Sequence, residues 1–317
     1  MERDVVMKKL CLVFFLLCLS CFGCTAYNTE GNKEPIYFLF ATPLSNHTLW
    51  LQAKQGMEDA CKELKIYCDW KGPTGIDTKE MENVILAGIL QKCDGIITQG
   101  VIDPSLIEQG KNQGIPFVLV DSGIKDSKPL ATITKDFDQQ ADLLLDDIEK
   151  TLGKDEKLYI GIQVSQLSFD LAQGQLHAVE KVFQKHKGGY EIIAISESKS
   201  DKLHAREEWQ KVLNKKMNVA LNFAGEGAAG CIEAMNDENS SKDLLVYGVD
   251  DMKDTLAFIK EGKVKGSVVT SFYNYGYEGV KILYDDIVYG KNPESSQIGA
   301  KLMLINSDNI ASYKQIR

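Results

Sequence analysis

The chain has 317 residues, 44% of them hydrophobic and 26% charged, the balance of a globular protein long enough for two domains. Its formal net charge of −9 repels phosphate backbones, and no patch of Lys and Arg with interleaved aromatics offsets it. That balance argues against nucleic acid as the main partner.

In chain order, Lys8-Lys9 precede the apolar run 10–19, and Ser20-Cys21-Phe22-Gly23-Cys24 follows. A basic start and an apolar stretch too short to span a bilayer make a targeting segment, so the mature protein is expected outside the cytoplasm. The end of this run resembles a bacterial lipoprotein signal, cleaved just before a cysteine that then carries lipid. Cys24, with the small Gly23 before it, is the expected lipidation site, and Cys21 is the alternative. The Leu usual three residues before the lipidated position is replaced by Cys21. An ordinary cleaved secretory signal is the other reading. Residues 1–24 are therefore read as the signal and the polar residues 25–34 as a tether. Four of the eight cysteines lie in the signal. The other four, Cys61, Cys68, Cys93 and Cys231, read as small buried hydrophobes, with a Cys61–Cys68 or Cys61–Cys93 bridge left open.

From residue 35 onward strand and helix alternate. An apolar run at 36–41 predicts a buried strand, and the 3–4 spacing of Leu49, Ala53, Met57, Ala60, Cys61 and Leu64 predicts a helix over 47–64, capped by Ser45 or Asn46. Strands are predicted at 66–70, 95–99, 116–120 and 131–134, with helices at 78–91, 105–113 and 138–152. The second half repeats the scheme: strands at 158–164, 191–195, 219–223, 244–249 and 266–269, and helices at 169–184, 202–214, 227–236, 253–260 and 276–289. One last strand is expected at about 298–304. Such alternation predicts an α/β fold of two doubly wound parallel-sheet lobes joined by a multi-strand hinge. The seam is expected near 134–138, with residues 35–134 plus about 272–293 in the first lobe and 135–271 plus about 294–317 in the second.

In such sheets ligands sit beyond the carboxyl ends of the strands. The residues expected there are Asn46 and Trp50; Gln99; Asp121 and Ser122; Gln166, Phe169 and Asp170; Asn222; Asp250; and Thr270 to Asn274 with Phe272. Carboxylates, amides and aromatics without a basic side chain suit a ligand with hydroxyls on its rim and C–H bonds on its face. Asp121 and Asp250 also read as helix caps, and Trp50 as a packed residue.

Several motifs, in this order and spacing, resemble the type I periplasmic solute-binding proteins. They are Ser45-Asn46 through Trp50 and Gly56; Gly72-Pro73-Thr74; Gly95-Ile96-Ile97; Asp103-Pro104; Gly114-Ile115-Pro116 through Asp121; Tyr247-Gly248-Val249-Asp250; and Gly276 with Gly279. The family includes the ribose, galactose and autoinducer-2 receptors and shares its fold with the effector domains of lac-repressor-type regulators. The resemblance covers about residues 35–305 and implies two lobes joined by three crossovers that close on one small ligand, with Asn46, Trp50, Asp121 and Asp250 touching it. It also implies a partner, either an ABC importer permease or a membrane sensor kinase. Ribose-type members carry Arg where this chain has Ser122 and another within the region of Phe169-Asp170-Leu171-Ala172-Gln173. They often have Asn-Asp at Ala224-Gly225 and a Gln near Thr270. Ribose specificity therefore does not carry over, and stacking on Trp50 is expected to take more of the affinity.

A rival motif, Gly225-Glu226-Gly227-Ala228-Ala229-Gly230, has the G-x-G-x-x-G pattern of a dinucleotide site. It falls late in the chain and puts Glu226 where a pyrophosphate would lie, so no cofactor is expected. His47, His177, His186 and His204 show no metal-ligand spacing. The expected function is a non-catalytic, lipid-anchored solute-binding protein for a sugar or polyol. The alternative is an exported enzyme on the same scaffold, acting on a glycoside or using a nucleotide.

Overall fold

The structure, a computed structural model, describes residues 35–237 and 243–315. The signal and tether, with Cys21 and Cys24, lie outside the described residues. From residue 36 the chain is one compact unit built around two six-stranded sheets.

The first half runs β1 (Tyr37–Ala41), α1 (Thr48–Leu64), β2 (Tyr67–Lys71), α2 (Thr78–Leu90), β3 (Gly95–Gln99), α3 (Ser105–Asn112), β4 (Phe117–Asp121) and β5 (Ala131–Thr134). The second runs α4 (Phe137–Leu152), β6 (Leu158–Val164), α5 (Asp170–Phe183), β7 (Tyr190–Glu197), α6 (Lys202–Gln210), β8 (Val219–Asn222), α7 (Gly227–Asp237), β9 (Leu245–Val249), α8 (Lys253–Lys260) and β10 (Gly266–Val269). The long helix α9 (Phe272–Tyr289) and two short strands, β11 (Gln297–Gly299) and β12 (Met303–Asn306), complete it. The sheet orders are β11-β5-β4-β3-β1-β2 and β12-β10-β9-β8-β6-β7, so the two lobes repeat one winding. Every pairing in the first sheet is parallel, whereas β12 runs antiparallel to β10. β3 and β4 are buried along their whole length, which is why each reads as an apolar run up to its last one or two residues. Each sheet has an apolar cluster on both faces.

Three segments cross between the lobes: 135–136 before α4, 270–271 before α9, and 300–302 between β11 and β12. The single last strand expected at about 298–304 is two strands, one in each sheet. Residues 297–299 thus lie in the first sheet, beside β5, not in the second lobe where the region from about 294 was expected. Helix α9 starts at Phe272, four residues earlier than its apolar spacing indicated, because the Ser271 hydroxyl caps it by accepting from the Asn274 amide at 3.1 Å.

After β10 in the second sheet, α9 returns to pack on α1. Gly56 and Gly276 permit the approach: a Cβ on Gly56 would lie 2.0 Å from the Tyr273 carbonyl oxygen, and one on Gly276 1.9 Å from that of Ala53. Rim contacts fix the register. The Tyr273 hydroxyl donates to Asp59 (2.9 Å), that of Tyr277 donates to Glu63 (2.6 Å), and Lys281 pairs with Glu63 (3.1 Å). A Cys61–Cys68 disulfide joins the last turn of α1 to β2, so two of the four cysteines read as buried hydrophobes are bonded, while Cys93 and Cys231 are free and buried.

Gly56→Ala and Gly276→Ala should each lower stability by about 1–3 kcal/mol in urea unfolding, because backbone atoms block the methyl and the helices must separate. Gly75→Ala, whose Cβ meets nothing within 4 Å, should stay within about 0.5 kcal/mol of the parent.

Candidate functional site

The strand carboxyl ends of both sheets face one cleft, with about 720 Å³ of empty space including its mouth. Trp50, Gln99, Asp121, Phe169, Asp250 and Phe272, all expected from the sequence, line it. Asn46, Ser122, Asp170, Asn222 and Thr270 do not, nor do Gln166, Ser271, Tyr273 and Asn274. Asn46 is exposed, because the residue that caps α1 is His47, whose Nδ1 accepts from the Leu49 amide at 3.3 Å. Neither Ser45 nor Asn46 makes that cap. Asp170, the first residue of α5, is also exposed. Asn222 is buried and fully engaged, accepting from Trp209 Nε1 (2.9 Å) and donating to the Tyr247 carbonyl (2.9 Å). Thr270 is buried in hydrogen bonding to Tyr275, and Ser122 is buried beside the turn after β4, where its carbonyl accepts from the Gly100 amide.

Asp121 and Asp250 occupy matching places, at the ends of β4 and β9. Both have left-handed backbones, φ 67° and 65°, a conformation Asp tolerates better than most residues. A hydroxyl from the neighbouring strand holds each turn: Thr134 Oγ1 donates to the Asp121 carbonyl (3.2 Å) and Ser267 Oγ to that of Asp250 (2.6 Å). Gln99 Nε2 donates to Asp121 Oδ2 at 2.7 Å.

The absence of a basic side chain expected from the sequence is corrected here. Lys135, on the first crossover, puts its Nζ 2.8 Å from Asp121 Oδ1 and 3.6 Å from Asp250 Oδ1. Nζ also lies 5.5 Å from the centre of the Phe272 ring. Burial pulls the ammonium down, but the charges of Asp121 and Asp250 outweigh it and its pKa is raised. Burial pushes the Asp250 carboxyl up to about 6; Lys135 opposes the rise, and Asp121, Asp251 and Glu226 add to it.

His47 is the second cation-forming group missed. Its Nε2 meets Glu226 Oε1 across the cleft. Burial lowers the His47 pKa, but the hydrogen bond and charge of Glu226 outweigh it and the net shift is upward. Gln52 Nε2 also reaches across, to Asp251 Oδ1 at 3.2 Å, and Leu49 lies against Gly225. The lobes therefore touch along the rim, as in a closed form. Glu226 opens α7 within the glycine-rich motif, so that motif faces the other lobe.

Three lining polar atoms have no hydrogen-bond partner among the described residues: Asp250 Oδ1, Ser165 Oγ and Gln175 Oε1. All come from the second lobe and line the same cleft as Trp50, Phe169 and Phe272. Trp50 is only 5% exposed and stands nearly at right angles to Phe40 and Phe272. It lies in the cleft lining with Phe169 and Phe272. Sequence reasoning missed His47, Lys135, Ser165, Gln175 and Glu226 as lining residues. Gln175 had a signal, being a polar residue on the apolar face of its helix, four after Leu171. Among the described residues no group of His, Cys, Asp and Glu could hold a metal ion, and no helix is long and apolar enough to cross a membrane.

A family model described as a periplasmic binding protein domain matches residues 38–292. The ribose import binding protein RbsB of Bacillus subtilis (strain 168) is 24% identical over 318 aligned residues, spanning 94% of this chain and 99% of the relative. Among solved structures, GanP, a glucose-galactose binding protein from Geobacillus stearothermophilus, is similar with a TM-score of 0.81 at 23% identity, covering 87% of this chain and 99% of that one. A chain of the XylFII–LytSN complex has a TM-score of 0.78 at 23% identity, covering 86% and 98%.

The Asp250 carboxyl titrates near 6 in the folded chain against an ordinary value of 3.8. The native state therefore holds more protons than the unfolded chain between those values, and this group's contribution to stability falls as pH rises from about 4 to about 6. Asp250→Asn should raise ligand-free stability at pH 7 by about 1–3 kcal/mol and flatten that part of the pH profile, measured by urea unfolding.

Proposed function

The chain belongs to the periplasmic binding protein domain family, and from that premise we propose that it captures a neutral sugar or related polyol outside the cytoplasm by closure of its two lobes. The observation that carries this reading is the set of acceptors with no partner among the described residues, Asp250 Oδ1, Ser165 Oγ and Gln175 Oε1, in one cleft with the aromatic rings of Trp50, Phe169 and Phe272. Hydroxyls on a sugar rim donate to such acceptors, and its C–H faces pack on such rings. One charge-assisted bond at about 1.5–3 kcal/mol, two neutral ones at about 1 kcal/mol each, and ring contact are enough for micromolar binding after ordering costs. The names of the ribose-import and glucose-galactose binding relatives agree with this class of ligand.

Closure follows from where the groups are attached. Gln99, Asp121 and Trp50 belong to the first lobe and Ser165, Phe169, Gln175 and Asp250 to the second, so a ligand touching both is bound more tightly when the lobes meet. That differential affinity shifts the population to the closed form. The protein acts as a binding protein and not as a catalyst, and no observation favours the exported-enzyme alternative. We place it on the outer side of the cell membrane, held through lipid on Cys24, with residues 25–34 as tether. Its closed rims then meet an importer permease or a membrane sensor; the ribose-import relative agrees with the first and the XylFII–LytSN complex with the second.

A panel of D-ribose, D-arabinose, D-glucose, D-galactose and D-allose should contain at least one sugar that raises the melting temperature, and mass spectrometry after incubation should return it unchanged. Asp250→Ala should weaken that sugar by about 2 kcal/mol, roughly 30-fold, while Asp170→Ala, at an exposed position, should leave it within about twofold. Stabilisation by a dinucleotide and by none of the sugars would reject the reading. In cells, Cys24→Ser should release the protein from the membrane fraction, and Cys21→Ser should not.

A further inference from the structure

Lys135 and Asp250 stand as a donor and an acceptor that fail to satisfy each other. Their Nζ and Oδ1 are 3.6 Å apart, beyond a good hydrogen bond, and both side chains are buried and line the cleft. Asp121 is the more occupied carboxylate. Its Oδ2 takes Gln99 and its Oδ1 takes Lys135, with the Tyr275 hydroxyl at 3.5 Å. Asp250 Oδ1 has no hydrogen-bond partner among the described residues. An ammonium carries three N–H donors, and Asp121 uses one of them.

We propose that Lys135 and Asp250 together read one hydroxyl of the ligand, which accepts from Lys135 Nζ while donating to Asp250 Oδ1. This deepens the sugar-binding reading and rests on it. An oxygen placed about 2.8 Å from each atom closes a triangle on their 3.6 Å separation without moving either. Of the common substituents on a small polar ring, only a hydroxyl is both donor and acceptor at neutral pH without bringing charge. An ammonium can donate to Asp250 but cannot accept from Lys135, and it sets two positive charges side by side. A carboxylate cannot donate and would face Asp121 and Asp250. A hydrogen leaves Asp250 Oδ1 without a donor and Lys135 with Asp121 as its one close acceptor, the kind of mismatch that polar sites reject most strongly. Lys135 thus fills the place between the two carboxylates that a cationic ligand would otherwise take. The acidic cleft then selects a neutral ligand.

The test uses the mature protein and the panel sugar that gives the largest thermal shift. That sugar and its deoxy and amino-deoxy analogues, changed one position at a time, are titrated calorimetrically into the wild type, Lys135→Met and Lys135→Arg. In the wild type one position should stand out, where hydrogen and amine each bind at least about 30-fold more weakly than the hydroxyl. In Lys135→Met the amine at that position should bind at least as tightly as the parent sugar, because Asp121 and Asp250 are left without their cation. Lys135→Arg should keep the rejection of the amine. If Lys135→Met does not fold, Lys135→Met/Asp121→Asn removes the cation together with one of its partners and should show the same gain. A purely structural role for Lys135 would weaken all analogues alike, and an unchanged amine-to-hydroxyl ratio would overturn the proposal. So would the lack of any position at which the wild type rejects both replacements. A wild type that responds to none of the sugars would overturn the sugar reading itself, a result distinct from sugar binding with an unchanged ratio.

Discussion

A buried ammonium needs counter-charge on every side it shows to the protein, and Lys135 finds its own on both lobes at once. Its backbone lies on a crossover, its nearest partner Asp121 ends a strand of the first sheet, and its farther partner Asp250 ends the matching strand of the second. Any opening that carries β9 away from β4 changes the field at Nζ. The charge group therefore ties the chemistry of the cleft to its geometry. The aromatic contacts share the dependence, since Phe272 directly follows the second crossover, as the first residue of α9, and lies against both Lys135 and Trp50.

The rest of the architecture limits which parts move. Helix α9 follows the second sheet yet is held to α1 through Gly56 and Gly276, with Glu63 and Asp59 fixing its register at the rim. The second crossover thus delivers its helix into a rigid contact in the first lobe. Bending between the lobes must be absorbed by the few residues at 135–136, 270–271 and 300–302. The rim pairs His47–Glu226 and Gln52–Asp251 join residues of opposite lobes, so any opening of the cleft would have to break them.

Much of this fold was legible in the sequence because parallel strands covered on both faces are apolar along most of their length, as at 95–97 and 117–120. The carboxylates were legible too, since Asp at the end of such a strand has few reasons to be there. Lys135 was not, because it stands in a Lys-Asp-Phe-Asp stretch that reads as a solvated turn, and only the topology brings it beneath two carboxylates. His47 and Asn46 exchanged roles through a one-residue shift of the cap, a difference that helix periodicity cannot resolve. Asn222 had the right strand end but the wrong neighbours. Trp209 and the Tyr247 carbonyl, contributed by other elements, take both ends of its amide. The last strand was misread because three-residue pairings at a sheet edge leave almost no pattern.

The Cys61–Cys68 bridge sets an order of events in the life of the chain. A cross-link of this kind does not persist in a reducing cytosol and forms once the chain reaches an oxidising compartment. Closing so short a loop contributes about 2–3 kcal/mol on the chain-entropy account, a sizeable share of what holds a typical domain together. With the two thiols reduced, the chain lacks that contribution and stays closer to its unfolded form. With the bridge closed the first lobe is harder to unravel, so its stability depends on the redox state of the compartment that holds it.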